Sequence, residues 1–174
     1  MMNEDKLRAA RERALSMAAR GEPLCEVLAY LATEAETLSA GRAVCSVLLL
    51  DDGGLLRNGA SPGLPTDYLA AIDGLKPDPA VGTCAAAAAT GKVVITPSLL
   101  TDACWRELKH LPLALGLVAA WSVPLVASDG RVLGTFGTYF RDQRPPLPAE
   151  RSFVEALANV AAGIVETRGI AMPA

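Results

Sequence analysis

Leu7, Ala10, Ala14 and Met17 recur at helical spacing in an otherwise charged stretch, which predicts a helix over 4–20 with one narrow apolar stripe, ended by Gly21. A broader stripe follows. Pro23 suits a first helical turn because its missing N–H is harmless there, and Leu24, Val27, Leu28, Leu31 and Leu38 predict a core-facing second helix reaching Gly41. The period then changes. Residues 43–50 are β-rich and almost wholly apolar, Asp51-Asp52-Gly53-Gly54 reads as a tight turn, and 55–60 predict the returning strand of a hairpin.

Turn residues from Gly59 lead into a short helical piece over 67–72, with Tyr68 and Leu69 or Ile72 facing inward. Lys76-Pro77-Asp78-Pro79 interrupts regular structure, because both prolines lack a donor and constrain their predecessors. The alanine-rich run 84–90 predicts a helix with Thr83 as N-cap and Gly91 past its end. A strand over 92–96 comes next, then a helix capped by Thr101 that carries Trp105, Leu108 and Leu111 until Pro112 distorts or ends it. Strands over 117–126 and 131–140 flank Ser128-Asp129-Gly130, and Pro124 places its own backbone nitrogen at an edge or bulge. A polar, proline-rich loop reaches Pro148, which opens a last helix striped by Phe153, Leu157, Val160, Ala161 and Ile164. Hairpins dominate this order, so the class is α+β with a mostly antiparallel sheet. Strand alternation puts Trp121 with Ala119, Val123 and Leu125, leaves Ser122 on the opposite side, and groups Tyr139 with Leu133, Thr135 and Gly137. It does not say which side meets a cavity.

The length, 174 residues, fits one domain, and 51% hydrophobic with 20% charged residues fits a packed core rather than a disordered chain. A net charge of −3 supplies no field to draw the protein to nucleic acid or an anionic membrane. Apolar runs fall short of the ~18 residues of a membrane span, and the charged amino terminus lacks a secretory signal, so the expected setting is cytoplasmic. Cys25, Cys45, Cys84 and Cys104 contain no Cys-x-x-Cys and read as reduced, mostly buried thiols. His110 is the single histidine, so no metal site built on imidazoles is expected.

GASPGLPTDY at 59–68, AIDGL at 71–75, VGTC at 81–84, GKVVIT at 91–96, Trp105 and AWSVPLVASDGRVLGTFGTYFRDQRPP at 120–146 together resemble a GAF domain, of the type found in bacterial sensor histidine kinases and small cytosolic GAF receptors. The resemblance implies a central antiparallel sheet of five or six strands, with helices on one face and short helices or loops roofing a cavity on the other. It divides the chain into an N-terminal helix (1–21), a GAF domain (22–168) and a tail (169–174). The family's usual Gly-Ser-Cys-Gly-Thr stands here as Gly82-Thr83-Cys84-Ala85-Ala86, its Cys-Trp-Ser as Ala120-Trp121-Ser122, and Pro97-Ser98 replaces an acidic residue after the third strand. These departures alter the cavity chemistry, so no relative's ligand is carried over.

The candidate binding residues are Thr83, Cys84 and Ala85, whose backbone amides open the alanine helix, with small side chains that leave room for an anion or a polar head. Tyr68, Trp105, Trp121 and Tyr139 are the large side chains available as walls. No catalytic residue, metal or cofactor is expected. The resemblance implies a non-catalytic sensor of a small molecule or anion such as nitrate, reporting to a histidine kinase or other output module, and a homodimer formed through terminal helices. Leu7, Ala10, Ala14 and Met17 would form its seam, with Val154, Ala158 and Val165 adding apolar surface. Two other readings stay open: a structural dimerisation module whose cavity is filled, and a thiol enzyme like the free methionine sulfoxide reductases, for which Cys84 falls near one cysteine position but 111–117 offers no second thiol.

Overall fold

A computed structural model describes residues 2–169; of the tail expected at 169–174, residues 170–174 lie outside the described residues. Helices α1 (Met2–Ala19) and α2 (Leu24–Leu38) precede the hairpin β1 (Ala43–Leu50) and β2 (Leu56–Ala60). Short helices α3 (Thr66–Ile72) and α4 (Cys84–Thr90) lead to β3 (Val94–Thr96), a 3₁₀ turn over Ala103–Trp105 and α5 (His110–Ala114). Strands β4 (Ala119–Val126) and β5 (Val132–Phe140) and helix α6 (Pro148–Arg168) complete the order. The strands form one antiparallel sheet in the order β2-β1-β5-β4-β3, the α+β architecture expected.

The first hairpin turns where the sequence predicts, because the Asp51 carboxylate accepts the amides of Gly53 and Leu55, both at 2.9 Å. Pro124 lies beyond the end of β3, so β4 has a partner only on its β5 side there and no ladder bond is lost. The register slips between Leu125 and Val126, and Leu133 opposite the slip packs with the helix-side core instead of sharing Tyr139's face.

On one face of the sheet, α2 and α6 cover Cys45, Val47, Trp121, Val123, Phe136 and Phe140, and α1 packs against those two helices. Helices α2 and α6 present Val27, Leu28 and Leu31, and Phe153, Leu157 and Ala161, to the core, while α1 lays its stripe of Ala10 and Ala14 against the two helices. The seam expected for a dimer is therefore occupied within the chain: Ala10, Ala14 and Met17 are buried, as are Val154, Ala158 and Val165. A stripe that narrow suits small-residue packing, and α1 folds back onto α6 and α2. Helix α6 begins at Pro148, where Glu150 accepts the Leu147 amide (2.8 Å) and pairs with Arg144 (2.7 Å), whose guanidinium lies 4.0 Å over the Phe140 ring.

The other face carries α3, α4 and the 98–116 segment. The expected helix capped by Thr101 is absent: the Asp102 carboxylate accepts the Cys104 amide at 2.9 Å and starts the 3₁₀ turn instead. A carboxylate is the stronger acceptor, which explains the shift by one residue. Pro112 neither distorts nor ends a helix; it stands in the first turn of α5, where a proline is tolerated. His110 opens α5 and is exposed.

Candidate functional site

The alanine run sets the geometry of the roof. High helix propensity forms α4, and Gly91, at φ +66°, ends it by donating its amide to Ala87 O at 2.9 Å. Alanine side chains are short, so α4 descends onto β4 and β5 and buries Ala85, Ala86 and Ala87. Gly137 of β5 permits the close approach, since a Cβ there would stand 2.9 Å from Cys84 Sγ.

Tyr68 from α3, Thr83, Cys84 and Ala85 at the start of α4, Trp105 from the 3₁₀ turn and Tyr139 from β5 all line one cavity of about 20 Å³, the volume a single water needs. Trp121 does not join them. It is buried on the opposite face, because alternation along β4 turns Ala120 and Ser122 toward the roof; its Nε1 has no hydrogen-bond partner. The walls meet edge to face: Tyr68 and Tyr139 at 6.2 Å and 84°, Trp105 and Tyr139 at 6.1 Å and 77°.

Thr83 is not the side-chain N-cap the sequence predicts. Its backbone is helical, and its hydroxyl faces inward to accept from Ser122 Oγ at 2.9 Å. A continuous polar line results. Tyr68 donates to the Tyr139 hydroxyl at 3.0 Å, Tyr139 faces Cys84, and Cys84 Sγ lies 3.1 Å from Ser122 Oγ. Because the Ser122 proton goes to Thr83, the thiol donates in that contact. Thr135 of β5 stands beside the thiol as well. Sequence reasoning omitted Ser122 and Thr135 as site residues; the signal was their alternation against Trp121 and with Tyr139.

Burial pushes the Tyr68 and Tyr139 hydroxyls and the Cys84 thiol above their ordinary pKa values, so all three stay protonated at neutral pH. No charged side chain lines the cavity. The Trp105 indole N–H donates to Thr96 Oγ1 at 3.2 Å, and Thr96 donates to Asp102 at 2.8 Å. Cys45 is buried on the helix side, Cys104 is partly exposed and Cys25 is exposed, so only two of the four thiols meet the expectation of burial. Among the described residues no cluster of three His, Cys, Asp or Glu could hold a metal ion, and no helix is long and apolar enough to cross a membrane. A second depression, a groove of about 540 Å³, runs between α1 and α6 beside Leu7, Arg11, Leu15 and Val160; Leu15 is 45% exposed there.

The chain is 36% identical over 163 residues to a methyl sulfide methyltransferase-associated sensor of Methanosarcina acetivorans, a match that takes in 93% of this chain but only 16% of that relative's length. Its fold is similar to the GAF domain of a phosphoenolpyruvate-protein phosphotransferase from Acinetobacter (TM-score 0.73, 16% identity, 98% of each chain). It is also similar to a domain from a protein named as a two-component sensor histidine kinase of Sinorhizobium meliloti (TM-score 0.67, 23% identity, 82% of this chain and 90% of that one). With a GAF domain family model matching residues 22–166, around the same sheet and roof, the chain belongs to the GAF domain family.

Proposed function

We propose that this GAF domain is a non-catalytic sensory module that admits a small molecule beneath its roof and passes occupancy through its terminal helices to a signalling partner. The observation that carries the reading is the polar line itself. Hydroxyl and thiol groups of Tyr68, Tyr139, Cys84, Ser122 and Thr83 lie buried on the roof side, where a scaffold needs only hydrocarbon. The relative named as a sensor supports the same class of role, and the likeness to a histidine kinase domain supports a two-component output. A protonated, buried Cys84 supports binding over thiol chemistry.

A route outward exists. Strands β4 and β5, which carry Ser122 and Tyr139, meet at a turn where the Ser128 amide and hydroxyl donate to Glu166 near the end of α6. Arg168 then donates to Glu22 O between α1 and α2, at 2.6 Å. The same reading seats a second copy of the chain on the groove between α1 and α6, which Leu15 lines with its side chain 45% exposed. Leu15→Arg is expected to turn a dimer into a monomer in sedimentation analysis; an unchanged sedimentation profile overturns that assignment.

The competing reading, a dimerisation scaffold with a filled cavity, draws on the small cavity volume. A thermal-shift panel of metabolites separates the two: a concentration-dependent rise in melting temperature supports the sensor, since a ligand stabilises only the state it binds, and a flat response across the panel leaves the scaffold.

A further inference from the structure

We infer that the roof cavity selects neutral molecules, largely apolar or aromatic and bearing one hydroxyl-like group, and rejects anions. The inference rests on the sensory reading above and narrows its ligand class.

An anion entering this space loses its hydration and finds no countercharge, because every lining side chain is neutral. Behind the Trp105 wall, Thr96 links the indole to the Asp102 carboxylate, a negative charge that repels the anion. The start of α4 offers little in compensation: the helix has seven residues, and the Gly82 amide before it is already donated to Cys104 O at 2.8 Å. The remaining surface is hydrocarbon from Leu48, Ile72, Leu75, Leu108 and Leu111.

The polar line sets the second requirement. Tyr68 donates to Tyr139 at 3.0 Å, so a guest that separates the two hydroxyls must accept from one and donate to the other to leave both satisfied. A hydroxyl does both, whereas a carboxylate or nitrate only accepts and leaves the Tyr139 oxygen without its donor. The edge-to-face rings of Tyr68, Tyr139 and Trp105 extend naturally to one further ring. A benzene-sized guest needs roughly 150 Å³, so Trp105, Leu108 and Leu111 must swing outward to admit it.

The test is calorimetric titration and melting of the wild type and of Leu108→Ala, which widens the cavity, with Leu111→Ala as companion variant. The probes are phenol and benzyl alcohol, set against sodium nitrate and sodium benzoate at matched ionic strength. Phenol and benzyl alcohol are expected to raise the melting temperature by about 2–4 °C at roughly five times their Kd, with a larger rise in the widened variants at equal concentration, while nitrate and benzoate act no differently from chloride. Saturable stabilisation by nitrate or benzoate overturns the ligand class and leaves the sensory reading intact. Silence of both neutral probes on every protein overturns the inference. Neutral binding confined to the widened variants supports the class and counts against the sensory reading, because the native roof then admits no guest.

Discussion

The two faces of one sheet are packed by different rules. On the helix side, long stripes from α2 and α6, backed by α1, close over Trp121, Phe136 and Phe140, and the polar contact between Cys45 Sγ and Thr138 Oγ1 is a weak one at 3.7 Å. On the roof side, α3 buries only Tyr68 and Ile72, α4 contributes alanines, and hydroxyls and a thiol fill the interval. Hydrocarbon packing is non-directional and grows with the area removed from water, whereas a polar line is favourable only while every member keeps its partner. The helix side therefore supplies stability, and the roof supplies the part that a guest can rearrange.

The largest effect belongs to the helix side. Trp121→Ala or Phe136→Ala is expected to cost about 3–5 kcal/mol in denaturant unfolding, since each leaves a cavity that the packed helices cannot fill; a cost under about 1 kcal/mol would erase the distinction between the faces. Gly137→Ala drives a methyl against Cys84 Sγ and is expected to cost about 1–3 kcal/mol by lifting α4. Within the polar line the two tyrosines should differ. Tyr139→Phe leaves the Tyr68 donor without its acceptor and costs about 1–3 kcal/mol, while Tyr68→Phe removes the donor and costs about 1 kcal/mol or less; equal losses would contradict this direction of donation.

Acid tests the helix side by another route. Desolvation, the largest influence on the Glu150 carboxyl, pushes it up, but Arg144 and the Leu147 amide together outweigh it and hold it below its ordinary value of 4.5. A depressed folded value contributes stability that is complete above the ordinary value and lost as pH falls through the folded one. Glu150→Gln is expected to flatten the acid limb of the stability profile below pH 4.5, and an unchanged slope there would remove the ion pair from the account. The smallest effect is expected at Leu15→Arg, whose cost to the folded monomer should stay within about 0.5 kcal/mol because the side chain is 45% exposed.

Much of this arrangement was legible in the sequence where a local signal determined it. Asp51-Asp52-Gly53-Gly54 and Ser128-Asp129-Gly130 gave both hairpins, and Pro148 gave the start of α6. The candidate site was legible as a group of residues but not as a surface, because alternation on β4 names two faces without assigning either, and Trp121 was placed with the walls when Ser122 holds that side. Residues 101–114 carry helix-like spacing, yet Asp102 captures the Cys104 amide and turns the chain early, a competition between neighbouring caps that propensity does not resolve. The stripe on α1 is equally compatible with a partner chain and with its own α6, since both present the same kind of apolar surface. Whether α4 would stand off the sheet or settle on it depended on Gly137, which lies 53 residues further along the chain from Cys84 and makes no local pattern with it.

Native-state hydrogen exchange tests most directly the claim that the roof yields while the helix side holds. Amides of α3 and of the 103–116 segment are expected to exchange through a partial opening well below the global unfolding free energy, while those of β1, β5 and α6 exchange only with global unfolding. Uniform protection on both faces of the sheet would contradict the account.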